Sequence, residues 1–300
     1  MIDVCLLGTG GMLPLPERFL TALYVRCAGK AVLIDCGEGT QTAIRAANLH
    51  FKCIEAVLIT HFHADHISGL PGLLLTLGNE NRLEPLHIYG PRGLEHTVNA
   101  LRVIVPELPY EIVFHEFAQE EETFTCAGFE ATAFAADHGM PCLGYRIELP
   151  RKGKFDPKRA KEKEIPVQLW SRLQAGESAC GYAPEDVLGP ARKGLRLLYA
   201  TDTRPVPAIE RLAEEADLLI LEGMFGETEK LERAKKSRHM MMQEAARIAQ
   251  KAKAKELWLT HFSPANPEPE LFAEELKEIF DNTAIGTDGM MRTLRFREDE

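Results

Sequence analysis

No stretch of this 300-residue chain approaches the roughly 18 consecutive apolar residues that a membrane-spanning helix needs. The opening residues, Met1-Ile2-Asp3-Val4, lack a basic region followed by a long apolar run, so no secretory signal is visible. These two absences lead to the expectation of a cytoplasmic protein with no membrane partner. The seven cysteines are odd in number and scattered, with no Cys-x-x-Cys pair. That pattern suits reduced, mostly structural thiols and argues against a cysteine zinc site. No internal repeat and no low-complexity tract interrupts the chain. Positive charge is short as well, with 35 Lys and Arg against 45 Asp and Glu and a net charge of -10. The surface as a whole repels nucleic acid, so an anionic partner must be drawn by a local patch or by a metal. What remains is ordinary globular composition, 45% hydrophobic and 27% charged, which excludes a disordered chain, a collagen-like fibre and a disulfide miniprotein.

Short apolar runs alternate with amphipathic stretches. Val4 to Leu7 reads as a first strand, ended by Gly8-Thr9-Gly10-Gly11. Leu23 to Val25 and Ala31 to Ile34 read as a hairpin around Gly29-Lys30. Thr40 to Ala47 reads as a helix, Ala56 to Ile59 as a strand, and Gly69 to Leu77 as a helix. Strand-like runs dominate from Glu111 to Leu149 and recur at 195–199, 217–221 and 256–259, with helices near 205–215, 239–252 and 268–280. This order predicts an α/β sandwich with sheets inside and helices outside. One segment, 151–194, is polar, broken by Gly and Pro, and weakly periodic. Its first part, 151–164, holds seven basic and three acidic residues, a balance of +4 within an acidic chain. A solvated loop explains such a run, and so does an arm that touches a polyanion.

The chemistry concentrates in Thr60-His61-Phe62-His63-Ala64-Asp65-His66, directly after a strand. Imidazole and carboxylate are the ligands that zinc and other divalent ions prefer. In an extended segment alternate side chains share a face, so His61 and His63 can bind one ion. Asp65 and His66, on the following turn, can serve a second. A binuclear site needs further ligands, and three candidates end strands: His138, Asp202 and His261. Any one of them alone suits a cap or turn residue equally well.

These residues resemble the metallo-β-lactamase superfamily, whose ordered ligand set is His-x-His-x-Asp-His, then His, Asp and His. Within it the chain resembles the ribonuclease Z family of tRNA 3′-processing endonucleases. The resembling stretches are Asp35-Cys36-Gly37-Glu38-Gly39-Thr40-Gln41, Gly69-Leu70-Pro71-Gly72-Leu73-Leu74, Leu143-Gly144-Tyr145-Arg146, Phe155-Asp156 and Leu188-Gly189-Pro190. Two departures stand out: Val167-Gln168 follows Ile165-Pro166 where the family has Gly-Pro, and Ala265-Asn266 stands where Arg-Tyr is common. The resemblance implies an αββα sandwich of two mixed sheets over 1–300, with an inserted tRNA-gripping arm at 151–194. It implies one ion held by His61, His63 and His138, another by Asp65, His66 and His261, and Asp202 bridging them. Zinc is the ion it points to. Asp65 and His239 are the catalytic residues it implies, His239 as the acid at the start of a helix from His239 to Gln250, with Glu222 as its candidate orienter. It also implies precursor tRNA as substrate and a homodimer. The remaining histidines, 50, 87, 96 and 115, lack motif context and read as structural or exposed. The competing expectation is a hydrolase or phosphodiesterase of the same fold acting on a small substrate. A redox flavin-linked relative is disfavoured, because such members carry Glu where this chain has His63. A true lactamase is disfavoured because its second site lacks an aspartate such as Asp202.

Overall fold

The computed structural model describes residues 1–266 and 268–297. In chain order its first half holds β1 (Ile2–Gly8), β2 (Ala22–Cys27), β3 (Lys30–Ile34), α1 (Thr40–Ala46), β4 (Ile54–Leu58), α2 (Ala64–Ile67), α3 (Leu70–Asn79), β5 (Leu86–Pro91), α4 (Leu94–Leu101), β6 (Ile112–Phe117), β7 (Glu121–Cys126), β8 (Phe129–Ala135) and β9 (Leu143–Arg151). The second half holds α5 (Pro157–Glu162), α6 (Val167–Gln174), β10 (Arg192–Ala200), α7 (Pro207–Leu212), β11 (Leu218–Glu222), α8 (Leu231–Ser237), α9 (Met242–Lys251), β12 (Leu257–Thr260), α10 (Ala273–Ile279), β13 (Thr283–Ile285) and β14 (Met291–Leu294). Two mixed seven-stranded sheets result, in spatial order β14-β1-β2-β3-β4-β5-β6 and β13-β12-β11-β10-β9-β8-β7.

The two-residue period of the strands sorts side chains into layers. Val4, Leu6, Val32 and Ile34 face the space between the sheets, where they meet Tyr145, Ile147, Leu197, Tyr199, Leu218, Ile220 and Trp258. Their neighbours Cys5, Leu7, Ala31 and Leu33 face the opposite way and pack with Leu70, Leu73, Leu74 and Leu77 of α3. On the second sheet Leu198, Leu219 and Leu221 turn outward onto Met242, Ala245, Ala246 and Ala249 of α9. Helices therefore cover both outer faces, as expected. The hairpin between β2 and β3 turns through Ala28 (φ 48) and Gly29 (φ +83), with Cys27 opposite Lys30. Two successive left-handed residues are the signature of a type I′ turn, which matches the twist of the strands.

The structure differs from expectation in four places. Strands β5, β13 and β14 and helices α4 and α8 lie outside the runs expected from the sequence. Asp65 and His66 lie on a one-turn helix, α2, and not on an irregular turn. His239 precedes its helix, which begins at Met242, and sits in the turn between α8 and α9. Segment 151–194 contains α5 and α6, which close a small apolar cluster of Ala160, Ile165, Leu173 and Val187 beside Phe155 and Trp170.

Backbone packs on backbone where the metal-binding motif meets the stretch after β3. Cys36 N–H donates to His66 O at 2.8 Å, and Gly69 N–H donates to Cys36 O at 2.9 Å. A Cβ on Gly37 would lie 2.4 Å from Asp65 O and 2.6 Å from Leu20 Cβ, so only glycine fits. Gly37→Ala should destabilise the protein by about 1–3 kcal/mol through overpacking. A denaturant titration checks this, and an unchanged midpoint would show that the contact is loose.

Candidate metal centre

Strands β10, β11 and β12 run parallel, so their carboxyl ends reach one edge together. Just past those ends stand Asp202, Glu222 and His261, with His138 beyond β8. The first sheet answers with β4, whose continuation carries His61 and His63 and leads into α2 with Asp65 and His66. The two edges are tied together at this point. Leu143 N–H donates to Thr60 O at 3.0 Å, and the Tyr145 hydroxyl donates to Ile59 O at 2.7 Å. Asp35 (φ 61), Asp202 (φ 53) and His261 (φ 56) all hold left-handed backbone conformations. Non-glycine residues adopt these at a cost of about 1–3 kcal/mol each, and such strain concentrates at functional sites.

The imidazole nitrogens converge in two groups. His61 Nε2 lies 2.9 Å from His63 Nδ1, which lies 3.3 Å from His138 Nε2. His261 Nε2 lies 3.2 Å from His66 Nε2 and 3.4 Å from Asp65 Oδ2. Asp202 stands between the groups. Its Oδ2 faces His61 Nε2 at 3.7 Å and His138 Nε2 at 3.8 Å. Its Oδ1 faces His261 Nε2 at 3.0 Å and His66 Nε2 at 3.3 Å. Ligand atoms of His61, His63, His138 and Asp202 lie within 4.8 Å of one another, as do those of Asp65, His66 and His261. A further set, Asp202, His239 and His261, meets the same limit.

The tautomers fit a cation. His66 turns Nδ1 to Asp35 Oδ2 at 2.8 Å, and His138 turns Nδ1 to Arg238 O at 3.4 Å. Both partners accept, so Nδ1 carries the proton and the Nε2 lone pair points inward. Such outer partners orient metal-ligating histidines. Facing lone pairs repel unless a cation lies between them, and the buried Asp202 Oδ1 makes no hydrogen bond. This donor set of imidazole nitrogen and carboxylate oxygen suits divalent metal.

Without a metal ion, burial and opposite charge set the electrostatics of the centre. Burial alone would raise the Asp202 carboxyl, but His261 and His66 hold it well below the usual carboxylate range. Asp65 behaves alike under the same two rings. Burial and the neighbouring His66 push His61 down. Burial also pulls on His66, yet Asp202 and Asp35 hold it well above the ordinary histidine value. Asp35 is itself buried and accepts from Thr60 N–H at 2.8 Å and from the Thr60 hydroxyl. Met12 N–H donates to Asp65 Oδ2 at 2.6 Å.

His239 borders the same cavity, of about 400 Å³, whose wall also includes Met12, Met224, Phe225 and Arg233. Its Nδ1 contacts Glu222 Oε2 at 2.9 Å, while Glu222 Oε1 accepts from Thr203 N–H at 2.6 Å. Burial opposes protonation of His239, but Glu222, Asp202 and Asp65 push its pKa up to about 9. All eight residues expected at the site, and Glu222 with them, thus surround one centre. His87 and His115 lie elsewhere and pair with each other at 3.0 Å across β5 and β6. The part of Asp35 escaped sequence reasoning, although a carboxylate directly after the buried run of β3 was a signal. Arg233 had none.

Comparison with known proteins places this arrangement. A family model described as a beta-lactamase superfamily domain matches residues 163–262, and one described as anti-Pycsar protein Apyc1 matches residues 2–140. Fold and site together define a metal-dependent hydrolase of the metallo-β-lactamase fold. Ribonuclease Z of Lachnoclostridium phytofermentans is 50% identical over 304 residues, and that of Agathobacter rectalis 51% over 303, each covering 100% of both chains. The crystal structure of the short form of human tRNase Z superposes with a TM-score of 0.72 at 26% identity, over 98% of this chain and 100% of that one. The chain belongs to the ribonuclease Z family.

Purified without chelator, the protein should carry divalent metal. Asp202→Ala, which removes the carboxylate facing both groups, should lower that occupancy. Elemental analysis decides, and a metal-free protein from metal-supplemented buffer would refute the assignment.

Proposed function

We propose that this chain removes the 3′ trailer of precursor tRNA, using two divalent ions, zinc in the resting protein. His61, His63 and His138 would hold one ion, Asp65, His66 and His261 the other, with Asp202 shared between them. The observation that carries this reading is the buried Asp202 carboxylate, with one oxygen turned to each set of imidazoles. Membership of the ribonuclease Z family supports the substrate. Divalent ions at such a centre supply positive charge for a phosphate oxygen and make water a nucleophile at neutral pH.

The chain's own residues do the rest. Asp35 and the Arg238 carbonyl keep His66 and His138 in the tautomer that points Nε2 inward. His239 is the proton donor to the leaving ribose oxygen, where general-acid help is worth about 10²- to 10⁴-fold. Glu222, anchored by Thr203, fixes its Nδ1 and leaves Nε2 for the substrate. The protein works as a cytoplasmic homodimer; among the described residues no helix is long and apolar enough to cross a membrane.

Residues 151–194 act as the arm that grips tRNA. Four of the seven cations in 151–164 hold the structure together: Lys152 bonds Ala175 O, Arg159 bonds Leu188 O and Glu185 O, Lys163 pairs with Asp186, and Arg151 bonds Arg297 O. Lys154, Lys158 and Lys161 stand exposed at its surface. These three are the cations offered to phosphate.

His239→Ala should lose roughly 10²- to 10⁴-fold in rate on precursor tRNA while keeping its metal. On an activated nitrophenyl phosphodiester, whose leaving group needs no proton, the loss should be far smaller. Equal losses on both would assign His239 a structural part. For the arm, Arg151 and Arg192 lie opposite each other in the β9–β10 pairing, so a short Gly-Ser linker can replace 152–190. The deletion should spare the small diester, weaken tRNA binding and flatten its salt dependence. If full-length protein binds tRNA at low salt no better than the deletion, a small-diester hydrolase is the better reading.

A further inference from the structure

The cavity over the metal centre is lined by Asp65, Asp202 and three histidines, by Met12, Met224 and Phe225, and, among the described residues, by a single Lys or Arg side chain. That side chain is Arg233, on α8. The residues from Leu231 to Arg238 include four basic and one acidic, within a chain of net charge -10. Their cations are not equally engaged. Lys235 bonds Glu232 at 2.7 Å, and Arg238 bonds His138 O at 2.6 Å and faces Asp137 at 3.4 Å. Arg233 is exposed and forms no ion pair among the described residues; its guanidinium lies over the Phe225 ring, 5.8 Å from the centroid. Phe225 is itself fixed. It is buried, bridges to Met241, and accepts the Met242 N–H through its carbonyl at 2.9 Å. The Phe225 ring also stands 6.3 Å from the ring of His239. One aromatic ring thus neighbours both the guanidinium and the imidazole.

We propose that Arg233 binds the phosphodiester immediately 5′ of the ribose that leaves on cleavage. This rests on the RNA-cleaving reading above, in which His239 faces the leaving oxygen. A strand laid past His239 continues along the Phe225 wall, and the next anion it carries on that side meets Arg233. An aromatic face supports a guanidinium from behind and leaves its N–H fork free. That fork matches phosphate oxygens, and arginine at such a position is not interchangeable with lysine. The exposed Lys236 adds attraction nearby without a fixed contact. Arg233 is a binding residue, since no carboxylate of the centre lies within ion-pair distance of it.

The test uses full-length, metal-loaded protein and two short trailer-bearing RNA substrates. One is all-phosphate, and the other carries a neutral methylphosphonate at the position 5′ of the leaving ribose. Arg233→Gln should raise KM on the all-phosphate RNA about 10-fold, near the lower end for a charge-assisted hydrogen bond, with little change in kcat. The salt slope of binding should fall by about one. Arg233→Lys should recover part of the loss. The methylphosphonate should cost the wild type a similar factor and the Gln variant nothing further. Hydrolysis of a nitrophenyl diester and metal content should be unchanged. Wild-type cleavage with an unaltered KM in the Gln variant overturns the inference alone, as does an equal loss on the nitrophenyl diester. Additive losses from variant and methylphosphonate also overturn it. A wild type that cleaves neither RNA overturns the reading on which the inference rests.

Discussion

A carboxylate buried without a compensating charge costs so much that it takes up a proton instead. Asp202 is almost fully buried, yet it is held well below its ordinary pKa by His261, His66 and His61, and with His138 four histidines turn ring nitrogens to its two oxygens. That arrangement is the constraint on which the rest of the structure depends. The imidazoles come from β4 in one sheet and from beyond β8 and β12 in the other. Asp202 can therefore be satisfied only if both sheets present their ends at the same place. The Leu143–Thr60 and Tyr145–Ile59 hydrogen bonds hold the two edges together there. The left-handed conformations of Asp35, Asp202 and His261 show that the chain tolerates local strain to keep it.

Charge is distributed in keeping with this chemistry. The centre concentrates carboxylates, which draw divalent cations and repel a bare polyanion. Bound metal would reverse the sign of the floor, but an RNA backbone would extend beyond it and need cations at the rim. In the function proposed above these are Lys154, Lys158 and Lys161 on the segment after β9, and Arg233 on α8. Most of the arm's positive charge serves internal hydrogen bonds, since two short helices with a four-residue apolar cluster need help to hold together. Net charge over a segment therefore overstates what it offers a partner. The position of each guanidinium and ammonium relative to its own neighbours decides the matter.

The layers of the fold were legible because burial imposes a period. Val32 and Ile34 had to face one way and Ala31 and Leu33 the other, and a strand that is apolar on both faces must lie between two layers. The ligand types were legible for a related reason: three histidines and an aspartate within six residues are too costly to pack without a cation. By itself, then, the sequence determined the layered architecture, the chemistry of the centre and the residues that could build it. Only the tertiary structure decided which oxygen of Asp202 faces which imidazole, that Asp35 sets the tautomer of His66, and that Glu222 reaches His239. It also decided that Arg233 lines the cavity beside the Phe225 ring. The physical reason is range. Hydrophobic period and metal-ligand spacing are local and recur along the chain, whereas the contacts of Asp202, Asp35 and Glu222 join residues from 17 positions apart, Glu222 and His239, to 141 apart, His61 and Asp202. No local pattern encodes them; they exist only where two sheets bring their ends to one edge.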